Sequence, residues 1–159
     1  HSTIEFSTGL VADLSEHPNI IGIKDSRGEL DLLGELMDQS VDGFQVLTGS
    51  GSLLYMALEI GAVGGIVAVG LMAADQAANI SVAFREGRLS EAERLQEQIA
   101  PLNQSIVAGM GVPGIKAALD LLGFCGGAPR PPLTPASELR IEEVRGILET
   151  ADLLEYVGI

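Results

Sequence analysis

The sequence predicts an α/β fold of parallel strands joined by crossover helices, and three observations predict it. Apolar runs rich in β-branched residues begin near residues 20, 44 and 65, so a strand recurs every twenty-odd residues. The stretches between them carry apolar residues at helical spacing. The composition is 47% hydrophobic but only 4% aromatic, with no Trp, which suits a core of Leu, Ile, Val and Ala. At 159 residues the chain can bury one sizeable core.

Taken in order, Leu10, Val11 and Leu14 make one face of a short helix over Leu10 to His17, stopped by Pro18. Ile20, Ile21 and Ile23 then read as a buried strand ending in Lys24, bounded by turn-rich His17-Pro18-Asn19 and Asp25-Ser26-Arg27-Gly28. Leu30, Leu33, Leu36 and Met37 predict a helix to about Gln39, Asp42-Gly43 a turn, and Phe44 to Thr48 a second strand. The loop Thr48-Gly49-Ser50-Gly51-Ser52 feeds a helix over Leu53 to Ile60, closed by Gly61-Ala62-Val63-Gly64. Gly65 to Val69 reads as a third strand, and Met72 to Glu86 as a helix ended by Gly87.

Only helices follow. Ser90 with Glu93 reads as a capping box, with Leu95, Ile99, Leu102 and Ile106 as the buried stripe and a kink at Pro101. The next helix runs from Pro113 to Leu122 before Gly123, with Ile115, Leu119 and Leu122 inward. A proline-rich surface connection, Gly123 to Pro135, leads to a last amphipathic helix or pair of helices opened by Thr134-Pro135. Leu139, Val144, Ile147, Leu148, Leu153 and Leu154 are its apolar positions.

Composition removes several function classes. Nine basic against twenty-two acidic residues give a net charge of −13, which repels phosphate backbones and anionic membrane surfaces. The longest apolar candidate, Ile60 to Ala74, is broken by Gly61, Gly64, Gly65 and Gly70, so no membrane span is expected. The first residues carry no secretory leader pattern, and the single Cys125 fits a reducing compartment, so a cytoplasmic location is expected. Cys125 in Gly-Phe-Cys-Gly-Gly lacks the partners of a metal site or nucleophile triad and is taken as structural. No metal cluster and no dinucleotide fingerprint are found, so no metal or cofactor is expected.

Lys24 is the residue with chemistry to explain. A charged amine at the carboxyl end of a core strand faces the crevice where sheets wrapped by helices bind ligands. Burial there frees an amine's lone pair, as a Schiff-base nucleophile requires. The plainer reading is a solvated strand-end lysine paired with Asp25. The Thr48 to Ser52 loop presents backbone N–H groups that suit a carboxylate or phosphate. Its plainer reading is a flexible turn with Ser50 or Ser52 as N-cap.

Several runs in order carry a family resemblance. His17-Pro18-Asn19-Ile20-Ile21-Gly22-Ile23-Lys24-Asp25-Ser26, Phe44-Gln45-Val46-Leu47-Thr48-Gly49-Ser50 and Gly61-Ala62-Val63-Gly64-Gly65-Ile66 resemble the dihydrodipicolinate synthase and N-acetylneuraminate lyase superfamily. So do Gly111-Val112-Pro113-Gly114-Ile115-Lys116 and Gly126-Gly127-Ala128-Pro129-Arg130-Pro131-Pro132-Leu133. The resemblance implies a (β/α)8 barrel, of which this chain would supply strands six to eight within residues 1–88 and C-terminal helices over 89–159. It implies Lys24 as the lysine forming a Schiff base with pyruvate or another 2-oxo acid. Gly49 and Ser50 after strand seven, and Ile66 in strand eight, would border the same pocket. An imine is an electron sink for making or breaking the neighbouring carbon–carbon bond.

A barrel of this kind needs about 250 residues. The family's threonine pair and proton-relaying tyrosine belong to its first five strands, and Tyr55 and Tyr156 do not match that tyrosine's motif. The chain is therefore expected to be the C-terminal portion of a longer protein, starting after the fifth strand, inactive alone and prone to self-associate. The complete protein is expected to act on a 2-oxo acid and an aldehyde, as a homo-oligomer. Gly51 and Ser52 stand where sialic acid lyases are expected to carry a carboxylate pair, which disfavours that substrate. Gly49-Ser50-Gly51-Ser52 after Phe44-Gln45-Val46-Leu47 looks closest to 4-hydroxy-2-oxoglutarate aldolase, with dihydrodipicolinate synthase second. Gly70-Leu71 departs from the family's usual alanine-asparagine end of strand eight. A non-enzymatic remnant and a passive anion-binding module remain the readings from other classes.

Overall fold

The computed structural model describes residues 5–154, so His1 to Ile4 and Tyr156 lie outside the described residues. The chain packs as two compact units, His1–Val67 and Ala68–Ile159.

The first unit layers helices on one face of a parallel sheet. Helix α1 (Thr8–Ser15) starts where the Ser7 hydroxyl accepts from the Leu10 N–H at 3.2 Å, a side-chain N-cap. Strand β1 (Gly22–Asp25), helix α2 (Leu30–Gln39), strand β2 (Gln45–Thr48), a 3-10 turn (Gly51–Leu53), helix α3 (Leu54–Glu59) and strand β3 (Gly64–Gly65) follow. The strands lie in the order β1-β2-β3, all parallel, with Lys24 opposite Leu47, Asp25 opposite Thr48 and Thr48 opposite Gly65. Helical connections between parallel neighbours are what the sequence periodicity requires.

The strand residues alternate. Asp25, Val46 and Thr48 are buried, whereas Lys24 and Gln45 are exposed. The buried face meets Val11, Leu33, Leu36, Ala57 and Ala62, with Ile23, Leu30, Met37 and Phe44 packed around them. This corrects the expected continuous buried run: Ile21 is 73% exposed and the strand starts only at Gly22. One face of this sheet is covered by helices, so the period-2 rule decides burial residue by residue. Leu36 is fully buried at the centre of this core. Leu36→Ala should therefore destabilise the unit by about 2–5 kcal/mol, read as a lower denaturant midpoint with an unchanged slope.

The third strand is shorter than expected. Strand β3 is two residues, Gly64–Gly65, and the chain then enters a 3-10 turn at Ala68–Leu71 instead of continuing to Val69. The neighbour explains it. The Ile66 N–H still donates to the Thr48 carbonyl at 2.9 Å, but β2 ends at Thr48 and offers nothing to Val67 and beyond.

The second unit is helical: α4 (Ala74–Arg85), α5 (Leu89–Leu102), a π-helical stretch (Asn103–Ala108), α6 (Gly109–Leu121) and α7 (Glu138–Thr150). Ala83, Ala92, Ile99, Leu102, Ile106, Val144 and Leu148 are buried. The expected Ser90–Glu93 capping box does not form, because α5 already begins at Leu89 and its N-cap position is Arg88. The Arg88 guanidinium instead pairs with Glu91 and Glu86, and those hydrogen bonds, Glu91 first, hold it more firmly protonated. Pro101 has no N–H to donate, and two residues on the ladder widens to π geometry over Asn103–Ala108, while the break in helical dihedrals lies further along, at Gly111.

Gly111 breaks the next helix at φ 63°, so Pro113 falls in the first turn beyond the break, and Gly123 at φ 82° ends it. The loop after Gly123 is tied back: the Gly126 N–H donates to the Asp120 carboxylate at 2.7 Å, and the Lys116 ammonium donates to the Gly126 carbonyl. Helix α7 starts at Glu138, capped by Ser137, later than the Thr134-Pro135 signal. Leu139, expected inward, is 80% exposed, because at 3.6 residues per turn it lies about 140° around the helix from Val144. Among the described residues no helix is long and apolar enough to cross a membrane.

Candidate active site

Parallel pairing gathers the chemistry at one edge of the first unit. Lys24, Thr48 and Gly65 end or nearly end their strands at one level, so the turns beyond them start side by side. Glycine at position 49 is explained by its neighbours. A Cβ built there would lie 2.8 Å from Cε of Lys24 and press on both side-chain atoms of Ser26. The lysine stem and the Ser26 hydroxyl thus occupy the space above Gly49, and only glycine leaves it open. The Gly49 N–H donates to the Asp25 carbonyl at 2.5 Å, holding the two turns together.

Lys24 is exposed, not buried as expected, because it lies on the sheet face away from the helix layer. Nor does Asp25 pair with it. Alternation sends Asp25 to the buried face, 8% exposed, where Oδ2 accepts from Nε of Arg27 at 2.7 Å. The plain reading of Lys24 as the partner of Asp25 therefore fails on geometry.

The remaining expected residues divide. Ile66 directly follows β3, is 61% exposed, and lies beyond the Thr48–Gly65 pair at the edge where Gly49 lies beyond Thr48. Ser50 is turned the other way: its N–H donates to Oγ1 of Thr48 at 3.1 Å, and its Oγ lies 3.6 Å from where a Cβ on Gly28 would be. Lys24, Gly49 and Ile66 thus share the edge, with Ser50 flanking it beside Gly28. The Gly51–Leu53 turn is 3-10 and α3 is only six residues long, Leu54–Glu59, which leaves the passive anion-site reading little helix dipole to draw on. Among the described residues no three His, Cys, Asp or Glu side chains group to hold a metal ion.

Sequence reasoning gave no role at this edge to Ser26 or Arg27, and named Asp25 only as a partner for Lys24 and Thr48 only as the start of the anion-suited loop, not as the acceptors of the two turns. A signal existed for two of them. Asp25 and Thr48 are short polar residues at strand ends, the types that accept from the N–H two residues on.

Residues 2–151 match the model of the dihydrodipicolinate synthetase family. The chain belongs to this family. It is 31% identical over 140 residues to the 4-hydroxy-tetrahydrodipicolinate synthase of Methanoculleus marisnigri, covering 87% of this chain and 48% of that protein. It is 32% identical over 134 residues to the protein of the same name from Methanococcoides burtonii, covering 84% and 46%. Among solved structures, the dihydrodipicolinate synthase of Thermotoga maritima superposes with a TM-score of 0.83 at 26% identity, over 92% of this chain and 51% of that one. A prophage protein of the dihydrodipicolinic acid synthase family from E. coli K12, solved in complex with pyruvate, gives 0.86 at 27% identity, over 93% and 52%. The chain thus spans about half the length of these relatives, and the likenesses support an α/β fold that is part of a dihydrodipicolinate synthase-type barrel. The expected order of the two subfamilies is not supported. The two sequence relatives named above are both synthases, and neither is a 4-hydroxy-2-oxoglutarate aldolase.

Proposed function

We propose that this chain carries the imine-forming half of a pyruvate-type carbon–carbon lyase, of the 4-hydroxy-tetrahydrodipicolinate synthase kind. The observation that carries the reading is Lys24: its stem lies over Gly49 at the carboxyl edge of a parallel sheet, in a chain whose relatives bear that synthase name. The pyruvate in the E. coli K12 prophage protein supports the choice of 2-oxo acid.

In this reading the Lys24 amine attacks the ketone carbon of the 2-oxo acid. The carbinolamine loses water, and the resulting iminium accepts the electrons released as the adjacent carbon loses a proton. The enamine then adds to the carbon of an aldehyde, a new carbon–carbon bond forms, and water returns the free amine. Gly49 leaves room for the lysine stem, Ser50 flanks the loop, and Ile66 lines the apolar side of the pocket. No cofactor takes part.

The three strands are read as six to eight of the barrel, residues 1–88, with 89–159 as a helical extension. Their support is internal: β3 is followed by α4 to α7 with no further strand among the described residues. We place the protein in the cytoplasm as a homo-oligomer.

The test is incubation of the full-length gene product with pyruvate and borohydride, followed by intact mass and peptide mapping. A reduced pyruvyl adduct on Lys24 is expected. Its absence removes the Schiff-base reading in favour of a remnant without chemistry. A second reading, 4-hydroxy-2-oxoglutarate cleavage, is favoured by the Thr48–Ser52 loop pattern, and pyruvate release from that compound by an adduct-forming protein would promote it over the synthase.

A further inference from the structure

Two of the strands end at the candidate site in the same device. Oδ1 of Asp25 accepts from the Arg27 N–H at 2.9 Å, and Oγ1 of Thr48 accepts from the Ser50 N–H at 3.1 Å. Each turns its chain sharply as it leaves the sheet.

The Asp25 turn is more heavily tied. Its second carboxylate oxygen accepts from Nε of Arg27 at 2.7 Å, and its main-chain carbonyl accepts from the Gly49 N–H at 2.5 Å. Arg27 reaches further, donating from a terminal guanidinium nitrogen to the Phe6 carbonyl at 3.4 Å. Asp25 is 8% exposed, and a carboxylate that deep is stable only when it is paired and hydrogen-bonded. Arg27 meets both needs through backbone and side chain, while staying partly open at 25% side-chain exposure.

The consequence falls on the residues either side of Asp25. Side-chain direction alternates along a strand, so fixing the Asp25 carboxylate on the buried face fixes Lys24 on the opposite one. The same turn presses Ser26 against Gly49, beside Cε of Lys24. The backbone under the lysine is therefore held through its neighbour, toward Gly49 on one side and toward Phe6 on the other.

We propose that the Asp25–Arg27 pair is the positioning device of the imine-forming lysine, aiming Lys24 through the turn without touching the substrate. The inference rests on Lys24 being that nucleophile. Arg27 matters here because it fastens the carboxylate, and the lysine, unlike the pair, does the chemistry.

The experiment uses the full-length gene product as wild type, Arg27→Ala, Arg27→Lys, Asp25→Asn and Lys24→Arg. Each is followed for the rate of borohydride-trapped pyruvate adduct against pyruvate concentration, and for thermal unfolding. Displacing a reacting group by 1 Å is worth about 10²-fold, so a loosened turn should slow trapping about tenfold in Arg27→Ala and Asp25→Asn. The half-saturating pyruvate concentration should stay within about twofold, because neither residue touches the substrate. Arg27→Lys, which keeps a cationic donor for the carboxylate but not the fork that also reaches Phe6, should recover part of the rate.

Folded Arg27→Ala and Asp25→Asn trapping at the wild-type rate would overturn the proposal, as would a loss of which Arg27→Lys recovers no part in a protein that melts normally. If Arg27→Ala does not fold, Asp25→Asn decides by the same criterion. A wild type that takes no adduct, or a Lys24→Arg variant that does, overturns the nucleophile assignment itself and this proposal with it.

Discussion

Lys24→Arg is expected to abolish turnover while leaving the fold in place. Arginine keeps the charge and most of the volume, but its guanidinium stays protonated and cannot form an imine. Loss of a covalent nucleophile typically lowers kcat by on the order of 10⁴-fold or more. The substitution falls on an exposed side chain away from the helix-covered core, so stability should change by no more than about 0.5 kcal/mol. Loss of stability and loss of chemistry are thus separable in one variant. Turnover and thermal unfolding, measured together on the full-length product, decide the point. A variant that retains turnover within about tenfold of wild type would take Lys24 out of the mechanism.

Gly49→Ala is the second large effect, and it acts on Lys24 from the neighbouring strand. The added methyl would lie 2.8 Å from Cε of Lys24 and still closer to the Ser26 hydroxyl. The lysine stem and the hydroxyl can move and Gly49 does not adopt a positive φ, but Cβ of Ser26, 2.9 Å away, can give way only with its backbone. The fold should therefore lose about 1–3 kcal/mol, the usual range of overpacking effects. The lysine cannot keep its place, however, and a displacement near 1 Å should lower kcat about 10²-fold with a smaller change in KM. If kcat stayed within about threefold of wild type, the space above Gly49 would not be where the amine works.

The two variants probe different parts of one arrangement. Lys24→Arg removes the reacting group. Gly49→Ala leaves that group intact and takes away the room it stands in.

Much of the fold was legible in the sequence. Three apolar runs at a period of twenty-odd residues marked three parallel strands, and the helix over Leu30 to Gln39 lies where its spacing put it. Lys24 was legible as the charged end of an apolar run, and the motif order around it pointed to the family that the chain matches over residues 2–151. These features are local or periodic, and local patterns survive without knowledge of partners.

Tertiary structure decided the rest, because each remaining question depends on what lies across from a residue and not beside it. Strand β3 stops at Gly65 because β2 ends at Thr48. Ile21 and Lys24 are exposed because only one face of the sheet meets helices. Asp25 pairs with Arg27 and not with Lys24 because adjacent strand residues point to opposite faces. Ser26 and Gly49, more than twenty positions apart, meet only when β1 and β2 lie in register, with Asp25 opposite Thr48. Register is set by which residues the helix layer buries, and a shift of one position would turn every side chain of the strand to the other face.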